Sequence, residues 1–333
     1  MKLFNLGELN WKQTQLIYHA LAYKNIESLI LHSSHNRYMC VGLHQDPRDE
    51  LDLNYCKKNN IGIFRREIGG GTVLLDNNQV FYSLILKRNN PEVPYNPQNF
   101  FRKFLQPVIQ TCHELGIPAE YNPICDLIVK RKKISGNGGG EVGECKVLSG
   151  NILLDFNFEC MARAVSSPDF LRKKYLKLME KNISTVKKEL EIIPSREEIC
   201  SILVKKFVDL LGPMTIGKVD REITEKMIEL NNQYSSDKWL YQRGTKQIGR
   251  EIKIREGVFL FHKAFNTKEG LGGVICEIEE NRVKKVSFSK KFFLSETNKK
   301  RFKEKLIDLE YDRNKLANII INIIKTYGVV AID

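Results

Sequence analysis

The sequence predicts an α/β protein of the α+β type: a mixed β-sheet flanked by helices, with a small α+β domain behind it. Three observations carry this. Short β-branched, apolar runs alternate with longer stretches whose apolar residues recur every three or four positions. At 333 residues the chain is large for a single core. Near Trp239 the pattern changes to Lys/Glu-dense alternation, which marks a second domain.

The elements follow in order. Residues 13–23 predict an amphipathic helix striped by Leu16, Ile17, Ala20 and Leu21. Residues 28–32 and 38–43 are apolar runs about a polar Ser-Ser-His-Asn-Arg turn and read as paired strands. Residues 49–59 read as a short helix delivering a strand at 61–66, and 80–86 is a strand after the Asn77-Asn78 turn. Residues 99–115 predict one helix, with Phe101, Phe104, Leu105 and Val108 on its buried face and Gly116 as its cap. Residues 126–129 form a buried strand; a short strand from Ile134 runs into a second glycine loop, and 145–155 is a further strand. Helices are expected at 169–190, at 195–211 behind a Ser195-Arg-Glu-Glu capping box, and at 221–231. A boundary near residue 240 gives domains 1–240 and 241–333. The second holds strand-like alternation at 250–261, 271–279 and 282–287, then helices at 296–309 and 312–327.

Composition narrows the function. Hydrophobic content of 42% and charged content of 28% suit a soluble globular chain, and no run reaches the ~18 apolar residues of a membrane span. Residues 1–8 lack a signal-peptide core and carry an acid, so a cytoplasmic protein is expected. The eight cysteines are scattered without a CxxC pair, which argues against zinc or a disulfide framework. The net charge of +13 comes from basic residues mixed with acids, without a nucleic-acid signature. It suits an anionic nucleotide or an acidic protein partner, and a monomer is expected.

Two stretches carry the chemistry. The first is Arg65-Arg66-Glu67-Ile68-Gly69-Gly70-Gly71-Thr72-Val73-Leu74-Leu75-Asp76. Glycines remove every Cβ, so the main chain can adopt positive φ and approach a ligand, and successive N–H groups can converge on an anion. Read alone, it is equally a tight hairpin or bulge. In the second, Asp126-Leu127-Ile128-Val129 leads through Lys130-Arg131-Lys132-Lys133 into Ile134-Ser135-Gly136-Asn137 and Gly138-Gly139-Gly140. Taken alone, its cations read as a solvated hairpin tip.

Together the two stretches resemble the lipoate–protein ligase family, part of the wider biotin/lipoyl-transferase group. That family carries an RRxxGGGxVxxD segment followed by a DLxxx and a KISGN segment. The resemblance implies a biotin/lipoyl-transferase-like catalytic domain, and the tail resembles in layout the small accessory domain of full-length ligases. Gly42 and Gln45 fall where the family has a GRxQ-like segment at the pocket wall.

The implied activity is ATP-dependent. Lipoate or octanoate is converted to an acyl-adenylate, with release of pyrophosphate, and the acyl group passes to a lysine of a lipoyl-domain protein. The implied acceptors are 2-oxoacid dehydrogenase E2 subunits and the glycine cleavage H protein. Gly69, Gly70, Gly71 and the Thr72 amide would cradle phosphate, while Val73 and Leu74 would line the adenylate through their backbone. Arg66 matches the family's pocket-side arginine, and Asp126 its acid, the one side chain placed to meet Mg2+ carried by ATP. Lys133 matches the cation set between carboxylate and α-phosphate, ahead of Gly136 and Asn137. At ~4 Å and an effective dielectric of about 20, one such charge is worth ~4 kcal/mol, or roughly a thousandfold in rate. Lys132 would face away, and Lys130 and Arg131 would face solvent.

Three positions depart from the family. Leu75 stands where a histidine is usual, Ser149-Gly150 replaces a His-Gly pair, and Gly140 replaces a basic residue. These bear on acyl-chain specificity and adenylate positioning. Two rivals follow. One is a cysteine-dependent octanoyl- or lipoyl-transferase of the same fold, with Cys125 or Cys145 as its thiolate. The other is a non-catalytic acyl- or nucleotide-binding module. Biotin ligation fits less well because the GRGRxGR-type loop is missing.

Overall fold

The chain opens on β1 (Lys2–Leu9). A bulge between Asn5 and Glu8, where Gly7 takes φ +62°, breaks its alternation and hides the strand in the sequence. Asn10 and Gln13 form a capping box that starts α1 (Trp11–Tyr23). Next come β2 (Ser28–Ser34), β3 (Tyr38–Val41), α2 (Pro47–Glu50), α3 (Leu53–Lys58), β4 (Gly62–Arg65), β5 (Val73–Leu75) and β6 (Gln79–Lys87). They lead to α4 (Pro97–Phe104), α5 (Gln106–Glu114), β7 (Glu120–Asn122), β8 (Asp126–Val129), β9 (Lys132–Ser135), β10 (Asn137–Val142) and β11 (Cys145–Leu153). Then follow α6 (Phe158–Ala164), α7 (Asp169–Asn182), α8 (Val186–Glu189), α9 (Arg196–Leu211), β12 (Thr215–Ile216), α10 (Arg221–Tyr234) and α11 (Asp237–Leu240). The structure is a computed structural model, and it describes residues 1–244, 248–267, 270–289, 292 and 294–326.

Two units result. One comprises Met1–Ser167 with Glu180–Gly244, and the other Pro168–Met179 with the described residues after Gly244. The segment 168–179 is held in the second unit by the Lys174–Glu277 ion pair at 2.9 Å and by Phe170 against His262. The division therefore follows Gly244 and sets aside an inserted piece of α7, where composition alone marks a single point near residue 240.

In the first unit, among the described residues, the main sheet runs β10-β11-β6-β2-β1-β12. β1 lies parallel to both of its neighbours and the remaining pairs are antiparallel, so the sheet is mixed as expected. Alternate residues face opposite ways. Leu29, Leu31, Tyr82 and Leu84 pack beneath α4, α5 and α9, against Phe104, Val108, Leu203 and Phe207. Phe4, Ile30, Ile85 and Val147 pack beneath α1 and α10, against Leu16, Ile17, Leu21 and Leu230. Each such side chain contributes about 1.5–3 kcal/mol on burial. Two small sheets flank the glycines: β4-β3-β5 carries the first stretch, and β7-β8-β9 carries the second as far as Ser135, after which its glycine run enters the main sheet as β10.

Several expectations are corrected. The runs at 28–32 and 38–43 do not pair: β2 lies between β1 and β6, whereas β3 lies between β4 and β5. The helix expected at 49–59 is two short turns, broken where Leu51 bridges Val165. The helix at 99–115 divides into α4 and α5 at Leu105, beside Pro107, which has no N–H to continue the ladder. Residues 169–190 divide into α7 and α8 because Ser184 donates its N–H to Lys133 O and Thr185 caps α8. Finally, Gly138-Gly139-Gly140 is strand β10, not a loop. A Cβ on Gly139 would stand 2.8 Å from Val147 O and 3.1 Å from the Phe101 ring, so packing requires the bare backbone.

In the second unit β13 (Arg250–Arg255), β14 (Val258–Thr267), β15 (Gly270–Glu279) and β16 (Arg282–Phe288) form an antiparallel meander. α12 (Glu296–Leu306) and α13 (Arg313–Thr326) cover it through Phe302, Leu306, Ile320 and Ile324. The expected helix end at Tyr327 lies outside the described residues. No helix among the described residues is long and apolar enough to cross a membrane.

Candidate active site

The first glycine stretch joins β4 to β5 and is held from within. Arg66 donates from Nη2 to Gly69 O and Gly71 O, each at 2.9 Å, and from Nε to Gly69 O at 3.3 Å. Its Nη1 donates to Cys40 O at 3.2 Å and meets Cys40 Sγ at 3.5 Å. Every guanidinium nitrogen is thus used on the loop and on β3. A trans peptide points its N–H opposite its C=O. With the Gly69 and Gly71 carbonyls drawn to Arg66, the amides of Gly70 and Thr72 face the other way. Gly70 takes φ +103°, which only glycine adopts freely, whereas beside Gly69 and Gly71 a Cβ would meet open space. The loop can therefore be approached at Gly69 and Gly71 and is fixed at Gly70.

Neighbouring residues pin the same loop. Gln45 Oε1 accepts from Thr72 Oγ1 and from the Gly42 amide, each at 3.1 Å, which ties the expected pocket wall to the loop. Gly42 must be bare, since a Cβ there would stand 2.1 Å from Gly70 O. His19, fully buried, places Nδ1 2.7 Å from Gln15 O and receives the Glu67 N–H on Nε2 at 3.3 Å. Burial pushes its pKa down to about 4, so it is the neutral tautomer. Arg65 faces away from Arg66. Its guanidinium donates to Leu43 O, to Trp239 O at 3.1 Å and to Gln242 O at 2.7 Å, a wholly structural use.

Val73 pairs with Cys40, and the Leu74 carbonyl accepts from the buried Gln79 amide at 3.1 Å. Asp76 closes the β5–β6 turn by accepting the Asn78 N–H at 2.9 Å, and its burial raises its pKa. Gln79 Oε1 in turn accepts from Asn151 Nδ2 at 2.6 Å, and Asn151 Oδ1 accepts the Gly136 N–H at 2.9 Å. This chain of amides joins the two glycine-bearing stretches. A Cβ on Gly138 would lie 3.4 Å from Gly69 O, and one on Gly140 would lie 3.3 Å from Ile68, so the stretches also touch directly.

The second stretch presents its lysine. Lys130 and Arg131 take φ +47° and +64° at an exposed hairpin tip, and Lys130 pairs with Glu189 at 2.9 Å. Lys133, mostly covered, places Nζ 2.8 Å from Oδ1 of the buried Asp126. Its chain lies over Gly136, where a Cβ would stand 2.9 Å from Lys133 Cε. Asn137 bridges the strand ends: Oδ1 accepts from Tyr82 Oη, and Nδ2 donates to Cys125 O at 2.7 Å. Gly150 backs this pair, since a Cβ there would stand 1.9 Å from Asn137 Oδ1.

The departures are built into the fold. Leu75 joins an apolar cluster with Tyr38, Phe64 and Phe81, and Ser149 hydrogen-bonds Ser83 at 3.0 Å. Cys125 donates its thiol proton to Asn137 O at 3.0 Å, whereas Cys145 is buried and its pKa is raised by that burial. Among the described residues no three His, Cys, Asp or Glu side chains gather as metal ligands. Sequence reading missed Gln79, Asn151, His19 and Trp239, because each acts on a partner distant in the chain.

The chain matches the lipoyl protein ligase A/B catalytic domain over residues 7–208. It is similar to the lipoate-protein ligase LplJ of Bacillus subtilis, 26% identical over 258 residues that cover 72% of this chain and 75% of that one. It is also similar to the octanoyltransferase LipM of Geobacillus kaustophilus, 24% identical over 233 residues, 62% of this chain and 83% of that one. In fold it resembles a bi-partite lipoate protein ligase from Thermoplasma acidophilum, described with its E2 lipoyl domain. That structure gives a TM-score of 0.65 at 21% identity, covering 74% of this chain and 98% of the other. A lipoate-protein ligase A bound with ATP gives 0.61 at 21% identity, covering 72% and 98%. The match over more than half of the chain, on the fold and the paired glycine-bearing stretches described above, makes this protein a member of the lipoyl protein ligase A/B catalytic domain family.

Proposed function

We propose that this protein is an ATP-dependent lipoate–protein ligase. The observation that carries the reading is Lys133, held 2.8 Å from Asp126 on the stretch whose Gly138 lies against Gly69 of the first glycine loop. In the first step the lipoate or octanoate carboxylate attacks the α-phosphorus and the bond to the β-phosphate breaks. Pyrophosphate leaves and an acyl-adenylate remains. In the second, the acceptor lysine amine attacks the acyl carbon and AMP departs with the bonding electrons. Lys133 would stand between the two mutually repelling anions in the first step, and the Gly70 and Thr72 amides would receive phosphate oxygens. Arg66 would act through the loop it braces, since its donors point at carbonyls. Asp126, already paired with Lys133, suits one position on a metal ion, so Mg2+ would arrive on the nucleotide.

The acceptors proposed are lipoyl-domain proteins, the E2 subunits and the H protein. Support comes from the ligases among the relatives and from a fold neighbour described with an E2 lipoyl domain. The C-terminal unit is proposed as the accessory domain. A cysteine-dependent octanoyltransferase is the second reading, favoured by one relative and by Cys125 beside Asn137. Against it, the Cys125 thiol donates to a carbonyl, which stabilises the protonated sulfur rather than a thiolate. The test is lipoate-dependent exchange of labelled pyrophosphate into ATP by the purified protein. Exchange supports the ligase; acyl transfer from a carrier-bound donor without ATP supports the transferase.

A further inference from the structure

We infer that residues 221–244, beyond the end of the family match at residue 208, are a brace that sets the glycine loop, with Trp239 and Tyr234 as its positioning residues. The inference rests on the reading that this loop receives the nucleotide phosphates. Two residues ahead of the loop, Arg65 and Glu67, are gripped by this segment on either side of Arg66. Trp239 Nε1 donates to Arg65 O at 2.9 Å, and the Arg65 side chain returns to the Trp239 and Gln242 carbonyls. The Arg66 side chain holds the loop itself. Tyr234 Oη donates to Glu67 Oε1 at 2.6 Å, and Tyr23 Oη reaches both carboxylate oxygens of Glu67 at 2.9 Å.

The segment also bears on the pocket wall. Arg48 donates to Tyr241 O at 2.8 Å, and a Cβ on Gly244 would stand 2.5 Å from His44 O, so backbone rests on backbone there. The brace is anchored rather than loosely laid on. Tyr234 is buried against His19 and Phe64 with Trp239 at 5.0 Å, and Lys24 pairs with Glu222 at 2.7 Å. A helix added only for packing would bury apolar faces. This segment buries Ile223 and Leu230 in that way, and beyond that it spends an indole N–H of α11 and a buried phenol of α10 on the main chain and carboxylate that lead into Gly69.

The test compares the full-length protein with Tyr234→Phe, which keeps the ring and removes only the donor, and Trp239→Phe, which removes the donor and part of the indole that packs on Tyr234 and Arg65. Amide hydrogen exchange in residues 66–72 should accelerate about ten-fold in each variant while β2 and β6 are unchanged. The KM for ATP should rise about five-fold, with kcat nearly preserved. Unchanged loop exchange in both variants, or equal acceleration across β2 and β6, would overturn the brace. Exchange is read without turnover. A lack of pyrophosphate exchange in the unaltered protein would count against the ligase reading and leave the brace to be decided by these amides.

Discussion

The Lys133 ammonium stands 2.8 Å from a carboxylate oxygen of Asp126, whose side chain is 2% exposed. A buried carboxylate is costly without a partner, so the pair fixes where the lysine can reach. It also holds the cation near the start of β9, where the proposed reaction needs it between two anions.

Lys133→Ala should lower acyl-adenylate formation about a thousandfold, from the loss of one charge at close range. It should also lower the melting temperature, because the buried Asp126 loses the Lys133 ammonium beside it. Lys132→Ala should be much milder in single-turnover assays. Equal losses in the two variants would contradict the assignment of Lys133.

Asp126→Asn should leave Lys133 charged but less well placed. Its activity should lie between that of wild type and Lys133→Ala, with the larger effect on kcat. Activity below that of Lys133→Ala would show that the acid has a direct role of its own, on the metal or the nucleotide.

The three glycines should separate by position. At Gly69 and Gly71 a methyl enters open space, so each alanine variant should keep its melting temperature and raise the KM for ATP. At Gly70 the φ of +103° and a Cβ 2.8 Å from Arg66 Nη2 should cost stability as well, about 1 kcal/mol or more. If stability and ATP affinity fell together at all three, the loop would be a structural turn and no cradle.

Acid should loosen the loop through His19. Its pKa is pushed down to about 4 when folded, against ~6.5 when unfolded, so the unfolded chain takes up the proton first as pH falls. The neutral ring's contribution is complete above about pH 6.5 and is lost as pH falls through about 4, a swing of about 3 kcal/mol. His19→Gln should flatten the dependence of melting temperature on pH in that window. An unchanged slope would place the acid sensitivity elsewhere, with the buried His32 and His262 as the other groups held near 4.

Local order was legible in the sequence, and long-range partnership was not. The stripe of Leu16, Ile17, Ala20 and Leu21 foretold α1, and the Lys130-Arg131 tip was legible from its charge. The second run of glycines misled because bare backbone usually marks a loop. Here it makes room for Phe101 and Ile68 against a strand. The strands at 28 and 38 misled because nearness in sequence suggested a hairpin, yet each had better partners elsewhere. Nothing local in Gln79, Asn151 or Trp239 announces that they join or support the two glycine-bearing stretches. Arg66 was placed in the site by resemblance, and the structure adds that its donors serve the loop.

The central claim is an activated acyl group held without a covalent bond to the chain. The direct measurement is intact-protein mass after incubation in the absence of acceptor, with lipoate and ATP or with a carrier-bound acyl donor and no ATP, read after denaturation, for wild type, Cys125→Ser and Cys145→Ser. The expected result is an unmodified chain, lipoyl-AMP in the released fraction, and retained activity in both serine variants. A thioester adduct on Cys125 or Cys145, formed from a carrier-bound acyl donor without ATP and lost in the matching variant, would contradict it.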